Sequence, residues 1–350
     1  MFNFRKNKIG IFSDIHIGVH RDSKFWHDVS SQWMDWFVNN MKSEGIEDIV
    51  FCGDYFHARD EVSVDTLHFG ANLLKKLNDF NVIMIVGNHD CFLKESSEVN
   101  SLTPFNSWPN VNVVDKPLYV NVGDKRLGFI PWGIKSTDIE PCDVLFGHFE
   151  INNFKMNSFS LCKDGFDSDD LSKKNKMVFS GHFHLRDTRK IGNCDIIYVG
   201  NPFQMDFSDE NASKGVYTLD LSSLEYSFTE NTTSPLHYNL QLSDLISYGS
   251  ITQNVSKFFE NNLVKLKIDR RVSPDDLEYL LQVYRSLNPR NIVVEQMADI
   301  CKYGMDENKE DLSDFSIEEA ILRYIDSMDG ITNSEELRKY CINLYETYSK

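Results

Sequence analysis

The sequence predicts an α/β fold, and three observations carry that expectation. Over roughly the first ninety residues, short apolar runs rich in β-branched and aromatic residues alternate with longer segments of helical periodicity. From about residue 110 the spacing shortens to brief strands separated by turn residues. Five apolar runs end in a turn that carries Asp, Asn or His. In an open α/β sheet, ligands gather in the crevice beyond the carboxyl ends of the strands, where such turns lie.

In chain order, Lys8–Phe12 reads as a first strand running into Ser13-Asp14-Ile15-His16. In extended backbone, the Asp-x-His spacing points both side chains to the same side. Phe25 to Met41 carries Trp, Met, Phe and Val at mixed three- and four-residue spacing, an amphipathic helix. Asp48-Ile49-Val50-Phe51-Cys52 is a buried strand, ended by Gly53 and followed at once by Asp54. Val64 to Leu77 repeats the helical pattern, with Leu67, Leu74 and Leu77 on one face. Asn81–Val86 is a strand closed by Gly87-Asn88-His89-Asp90.

Short strands follow at Asn112–Val114, Leu118–Val122 and Arg126–Ile130. Asp143–Phe146 is closed by Gly147-His148-Phe149-Glu150, Met177–Ser180 by Gly181-His182-Phe183-His184, and Asp195–Val199 by Gly200-Asn201-Pro202. Asn152 to Lys176, polar and rich in Asp, Ser and Lys, is expected to be an exposed loop or lid. Composition breaks near Asn231-Thr232-Thr233-Ser234-Pro235. Beyond it, strands at Leu263–Ile268 and Asn291–Glu295 flank a helix opened by Ser273 as N-cap, Pro274 in the first position and acids in the first turn, a small βαβ module. Two helical stretches, Ser316–Met328 and Ser334–Tyr348, end an acidic tail.

Bulk properties narrow the function. The chain has 350 residues, enough for one large or two modest domains with real cores. No apolar run approaches the ~20 residues that span a bilayer, and the N-terminal residues lack a signal-peptide pattern. No membrane association is expected, and the expected location is the cytoplasm. The seven cysteines form no C-x-x-C pair, which argues for reduced thiols over a disulfide scaffold or zinc ribbon. A net charge of −17 counts against a protein that holds nucleic acid on a broad basic surface. It does not exclude a nuclease, because a metal site neutralises its own carboxylates and a basic partner can supply phosphate contacts.

The turns at Asp14/His16, Asp54, Asn88/His89, His148 and His182/His184 are unremarkable singly and hard to explain structurally as a set. A solvated loop has no reason to choose His, and a buried His needs partners. Mixed oxygen and nitrogen ligands suit Mn, Fe or Zn. There are enough of them for two ions sharing one carboxylate, roughly 3.5–4 Å apart, the arrangement used for in-line phosphoryl displacement.

Asp14-x-His16, Gly53-Asp54, Gly87-Asn88-His89-Asp90, Gly147-His148 and Gly181-His182-x-His184 resemble, in order and spacing, the calcineurin-like metallophosphoesterases, over about the first two-thirds of the chain. Within that superfamily, Gly53-Asp54-Tyr55-Phe56-His57-Ala58-Arg59 and Gly200-Asn201-Pro202 resemble the SbcD-type double-strand-break repair nucleases, and most of all the recombination endonuclease subunits of T4-like bacteriophages. The resemblance implies a four-layer αββα sandwich over 1–235, a βαβ capping domain over 236–300 and an ATPase-binding helical segment over 301–350. It implies two divalent ions, Mn2+ in the first place with Mg2+ as the alternative. One would be held by Asp14, His16, Asp54 and His184, the other by Asp54, Asn88, His148 and His182. His89 would stabilise or protonate the departing oxygen, oriented by Asp90, and His57 would contact the phosphate. Phosphatases of the superfamily carry Glu after the Asn-His pair, so Asp90 favours a phosphodiesterase. The implied partners are DNA ends, an SbcC-type coiled-coil ABC ATPase, and a second copy of the chain.

The other histidines, His20, His27, His68 and His237, follow no strand–turn pattern and read as surface or packing residues, with His20 a candidate for supporting the first motif. Trp132 and Phe203 can stack on bases but sit where core aromatics are common. Lys173-Lys174-Asn175-Lys176 reads as a solvated run. No Gly-x-x-x-x-Gly-Lys-Ser/Thr loop is present, so any ATP dependence resides in another chain. Three readings result: a Mn-dependent DNA nuclease subunit, a small-molecule metallophosphoesterase, and a non-catalytic scaffold. The complete ligand set disfavours the last. The βαβ module and terminal helices, which a minimal phosphodiesterase does not need, favour the first.

Overall fold

The structure is a computed structural model that describes residues 3–156, 160–247, 253–296 and 338–341. Residues 1–297 form one compact unit and 298–350 a second. Of the second, only a helical stretch at 338–341 is described, so both expected terminal helices lie essentially outside the described residues.

Two six-stranded mixed sheets face each other. The first has the order β14-β13-β1-β2-β3-β6, built from β1 (Lys8–Phe12), β2 (Asp48–Phe51), β3 (Asn81–Ile85), β6 (Val111–Val114), β13 (Gly215–Asp220) and β14 (Tyr226–Glu230). Strands β1, β2, β3 and β6 run parallel, while β13 and β14 close one edge antiparallel. The second sheet has the order β11-β12-β10-β9-β8-β7, from β7 (Leu118–Val122), β8 (Lys125–Ile130), β9 (Cys142–His148), β10 (Asn175–Gly181), β11 (Asp187–Ile191) and β12 (Cys194–Tyr198). Its four central strands are parallel, with β7 and β11 antiparallel at the edges.

Period-2 alternation explains how each strand serves two cores. Ile9 and Ile11 of β1 point between the sheets, where they meet Val50, Ile83, Phe129, Phe146 and Phe179. Phe12, Phe51 and Met84 point outward onto α2 (Lys24–Ser43) and α3 (Val64–Lys75), against Trp33, Phe37, Leu74 and Leu77. Gly10 is required by this contact, because a Cβ there would stand 2.5 Å from the Met41 sulfur. Leu67 departs from the expected apolar face: it is exposed, while Leu74 and Leu77 are buried.

The outer face of the second sheet is covered differently. Leu145, Val178, Ile196 and Tyr198 pack against Ile151, Phe154, Cys162 and Leu171. Asn152 to Lys176 is therefore not a free lid. Most of its described polar residues are at least half-exposed, but Phe154, Cys162 and Leu171, the last on the short helix α4 (Ser168–Lys174), anchor it as the fourth layer. Sparse apolar residues in a polar stretch hid this from the sequence. A hairpin, β4 (Cys91–Leu93) and β5 (Ser96–Asn100), follows the third motif.

The third sheet is all parallel, β15 (His237–Gln241), β16 (Leu263–Ile268) and β17 (Asn291–Gln296), with α5 (Leu242–Ser247), α6 (Gln253–Phe259) and α7 (Pro274–Arg285). Ser273 caps α7 by accepting from the Asp276 N–H. This module has its own core around Phe259, Leu266 and Tyr284. It belongs to the same compact unit as the two-sheet body, meeting it through Leu263 and through His237, stacked 5.9 Å from Trp26.

Candidate metal centre

Every motif residue sits beyond the carboxyl end of a parallel strand: Asp14 and His16 after β1, Asp54 after β2, Asn88 and His89 after β3, His148 at the end of β9, and His182 and His184 after β10. The first two turns are zipped together, with Asp14 N–H donating to Gly53 C=O at 2.9 Å and Ile17 N–H to Tyr55 C=O at 2.8 Å. The convergence of Asp14 and His16 is not that of an extended strand. Their φ angles are 53° and 48°, and Asp54 and His182 also lie at positive φ, 62° and 89°. Left-handed backbone at non-glycine residues is costly and concentrates at functional sites. Here it turns four side chains into one cavity.

Asp54 lies at the centre. Its Oδ2 stands 3.3 Å from His148 Nε2 and 3.6 Å from His16 Nε2. On one side, Asp14, His16 and His184 form a cluster whose candidate ligand atoms lie within 4.8 Å of one another, with the Nε2 atoms of His16 and His184 2.9 Å apart. On the other, Asp54, His148 and His182 form a second, and Asn88 Oδ1 stands 2.8 Å from both His148 Nε2 and His182 Nδ1. The two sheets are tied by His182 N–H, which donates to Asp14 Oδ1 at 3.0 Å. Gly87 is dictated by this closeness, since a Cβ there would sit 2.2 Å from Asp54 Oδ1.

The donor set fits divalent ions. Cys52 C=O lies 2.7 Å from His148 Nδ1, which places the proton on Nδ1 and turns the Nε2 lone pair toward Asp54 and Asn88. Burial holds His16 well below its ordinary value and pushes His184 down to about 4, so both are neutral and able to ligate. Burial, assisted by the Asp54 charge, raises Asp14 to about 7. Burial also works to raise Asp54, but His148 beside it overrides and holds its carboxyl well below the usual range. Without a cation, Asp54 draws a proton onto His148, raised to about 9 against the effect of burial. Four imidazoles, those of His16 and His148 buried and those of His182 and His184 half-buried, around two buried carboxylates are the environment a pair of cations stabilises.

Two residues take positions other than those expected. Asp90 does not touch the His89 ring. Its carboxylate accepts four backbone N–H groups, from Gly87 (3.0 Å), Asp54 (2.9 Å), Tyr55 (2.9 Å) and Phe56 (3.1 Å), because the turn after β3 folds it back into the protein. His89 instead sets its Nδ1 2.6 Å from the His57 C=O. The exposed His57 ring stands 5.4 Å from the His16 ring and 5.6 Å from that of His89. His20 supports no candidate ligand directly. Its Nε2 donates to Met205 C=O at 2.8 Å and its ring stacks on Trp26. Trp132 borders the centre, 5.1 Å from the His182 ring, whereas Phe203 is core.

A buried ion pair behind His184 was not anticipated. Lys214 and Asp209, each 4% exposed, lie 2.6 Å apart. Lys214 Nζ also donates to Asn201 Oδ1 and, at 2.8 Å, to His184 C=O. Gly200-Asn201-Pro202 is the part of this network that sequence pattern could mark, while Lys214 opens β13 with no motif around it.

Residues 7–186, just over half the chain, match the family of calcineurin-like phosphoesterases. Exonuclease subunit 1 of Enterobacteria phage T4 is 28% identical over 306 residues, covering 77% of this chain and 87% of that protein. An uncharacterized protein, R555, of Acanthamoeba polyphaga mimivirus is 34% identical over 96 residues, 26% of this chain and 7% of that one. Among solved structures, an archaeal phosphodiesterase aligns at 16% identity and TM-score 0.36, over 64% of this chain and 99% of its own. A dimetal phosphatase from Danio rerio aligns at 10% identity and TM-score 0.39, over 61% and 92%. The family match falls on the segment that carries all the strand-end motifs, and the chain belongs to the calcineurin-like phosphoesterases.

Proposed function

We propose that the chain is a Mn-dependent DNA nuclease, hydrolysing phosphodiesters as an endonuclease and as a 3′–5′ exonuclease on DNA ends, and that it serves as the nuclease subunit of an ATP-dependent complex for double-strand-break processing and recombination. The observation that carries this reading is one carboxylate, Asp54, standing between two clusters of buried imidazole and oxygen ligands. Asp14, His16, Asp54 and His184 hold one divalent ion, and Asp54, Asn88, His148 and His182 the other, Mn2+ in preference to Mg2+. Bound ions supply positive charge to the scissile phosphate and lower the pKa of the attacking water.

The chain's own groups do the rest. His89 keeps one proton on Nδ1, engaged by the His57 carbonyl, and acts as the imidazolium: its second proton, on Nε2, stabilises the leaving oxygen and passes to it, which leaves the ring neutral. His57, exposed at the rim, contacts the phosphate. Asp90 is a positioning residue, since it fixes the two turns that present Asp54 and Asn88.

Residues 236–300 act as a capping domain over DNA, and 301–350 bind a coiled-coil ABC ATPase of SbcC type. The word "subunit" in the T4 relative's name agrees with a partnered protein. A homodimer within the complex would use the exposed Val64 and Leu67 of α3. The protein works in the cytoplasm, that of the bacterial host if phage-encoded. With a net charge of −17, the isolated chain binds DNA weakly and with steep salt dependence. Tight, salt-insensitive binding would contradict this.

The test is Mn-dependent digestion of end-labelled linear duplex DNA, with Asp54→Ala as control and bis-p-nitrophenyl phosphate in parallel. Shortening from the ends that vanishes in the variant is the expected result. Cleavage of the small diester alone, also when the ATPase is present, would replace this reading with that of a small-molecule phosphodiesterase.

A further inference from the structure

Beside the metal centre, the two-sheet body and the three-stranded module enclose a cleft of about 480 Å³, walled by His20, Phe25, Trp26, Phe207 and His237, with Arg290 on its rim. We propose that this cleft is a nucleobase-binding subsite, which receives the base of the nucleotide whose phosphate lies at the metal centre. The proposal rests on the reading of that centre as one acting on nucleotide phosphodiesters.

Four observations converge. Five of the residues walling the cleft are aromatic rings, and three of them already stand in a stack, His20 on Trp26 at 5.2 Å and Trp26 on His237 at 5.9 Å and 7°. His20 and the half-buried Phe25 remain open to a further ring. A base with any identity can stack on such faces.

Polar capacity is also left over. His237 is 2% exposed and its Nδ1 has no hydrogen-bond partner. Arg290 is exposed, and Asp206, the one carboxylate on the wall among the described residues, is engaged by Ser208.

The cleft adjoins the reaction centre. His20, in the cleft wall, follows the candidate ligand His16 by four residues, in a turn where Val19 N–H donates to His16 C=O at 3.1 Å, and His57 N–H donates to Ile17 C=O of the same turn at 2.9 Å.

Finally, the chain spends strain to put His20 there. His20, Arg21 and Asp22 all adopt left-handed backbone, with φ of 54°, 59° and 57°, pinned by Thr66 Oγ1 donating to Asp22 Oδ1 at 2.7 Å. Left-handed residues normally occur singly, so three in succession mark a position the fold enforces.

The test is inhibition of Mn-dependent bis-p-nitrophenyl phosphate hydrolysis by deoxyadenosine 5′-monophosphate and by 2-deoxyribose 5-phosphate, which differ by the base alone. Each variant is compared with its own uninhibited rate. The expected result is that the nucleotide inhibits about tenfold more tightly than the abasic sugar phosphate in the wild type. That ratio falls toward one in His20→Ala, in Phe25→Ala and, from the exposed rim where folding is not at risk, is reduced in Arg290→Ala. Equal inhibition by the two compounds overturns the proposal, as does a ratio that survives all three substitutions. If the ratio is present and sensitive to the variants while linear DNA is left uncut, the cleft stands and the nuclease reading falls.

Discussion

Of the two clusters that share Asp54, the one around His148 is fixed through main-chain groups alone, whereas the one around His184 leans in addition on a buried ion pair. His148 has its tautomer set by the Cys52 carbonyl, and the turns presenting Asp54 and Asn88 are clamped by Asp90 through four backbone N–H groups. Across the cavity, His16 Nδ1 has no partner, and the carbonyl of His184 is held by Lys214, itself buried against Asp209. The first half is held wholly by residues of the strand-end motifs and their neighbours. The other half depends on an ion pair some thirty residues further on. Main-chain clamps tolerate little change in geometry, whereas a buried ion pair is strong only while both partners remain.

Substitutions separate the halves. The largest effect is expected for Asp54→Ala, which removes the carboxylate common to both clusters and reduces phosphodiester hydrolysis to background. Retention of activity in that variant would break the comparison at its root.

Lys214→Met leaves Asp209 buried without its counter-charge and is expected to cost about 3–5 kcal/mol in urea denaturation. It should also weaken one of two Mn2+ binding steps by about 10–100-fold in calorimetry while sparing the other. Equal weakening of both steps would show that the halves are not separable. Double substitution of Lys214 and Asp209 by apolar residues should recover much of the stability but not the metal affinity.

Asp90→Ala leaves four buried N–H groups without their acceptor and is expected to lower stability by about 3 kcal/mol, with activity lost on DNA and on the small diester alike. Were Asp90 instead acting through His89, stability would hold and only the pH–rate profile would change.

The last effect is on pH dependence. Burial lowers His184 and His237 to about 4, from an ordinary 6.5. The unfolded chain therefore binds protons that the folded one does not between those values. Stability of the chelator-treated protein should be full above pH ~6.5 and fall by about 3 kcal/mol per residue as pH drops toward 4. His237→Phe should flatten part of that slope in thermal melts at several pH values. An unchanged slope would place the titration elsewhere.

Much of the fold was open to reading along the chain. Lys8–Phe12, Asp48–Phe51 and Asn81–Ile85 are runs of apolar residues between turn signals, a local pattern that needs no knowledge of neighbours. Strands β13 and β14 were not singled out, since they carry no motif. The four layers were expected, but the part Asn152 to Lys176 plays in the fourth was missed for a related reason: Phe154, Cys162 and Leu171 are too sparse to form a period, and only the sheet beneath them selects their side.

At the site, residue types and their order along the chain were set by the sequence alone, because a ligand must be Asp, Asn or His whatever the backbone does. The glycines Gly53 and Gly87 were visible as strand ends, but what requires them, the closeness of His148 and Asp54, is tertiary. The tertiary structure decided the rest. It brought Asp14 within reach of the His182 N–H, 168 residues away, turned Asp90 onto main chain rather than onto His89, and set Lys214 behind His184. These are directions of side chains and contacts between distant turns. They follow from the packing of two sheets and from left-handed backbone at Asp14, His16 and Asp54, neither of which has a signature in local composition.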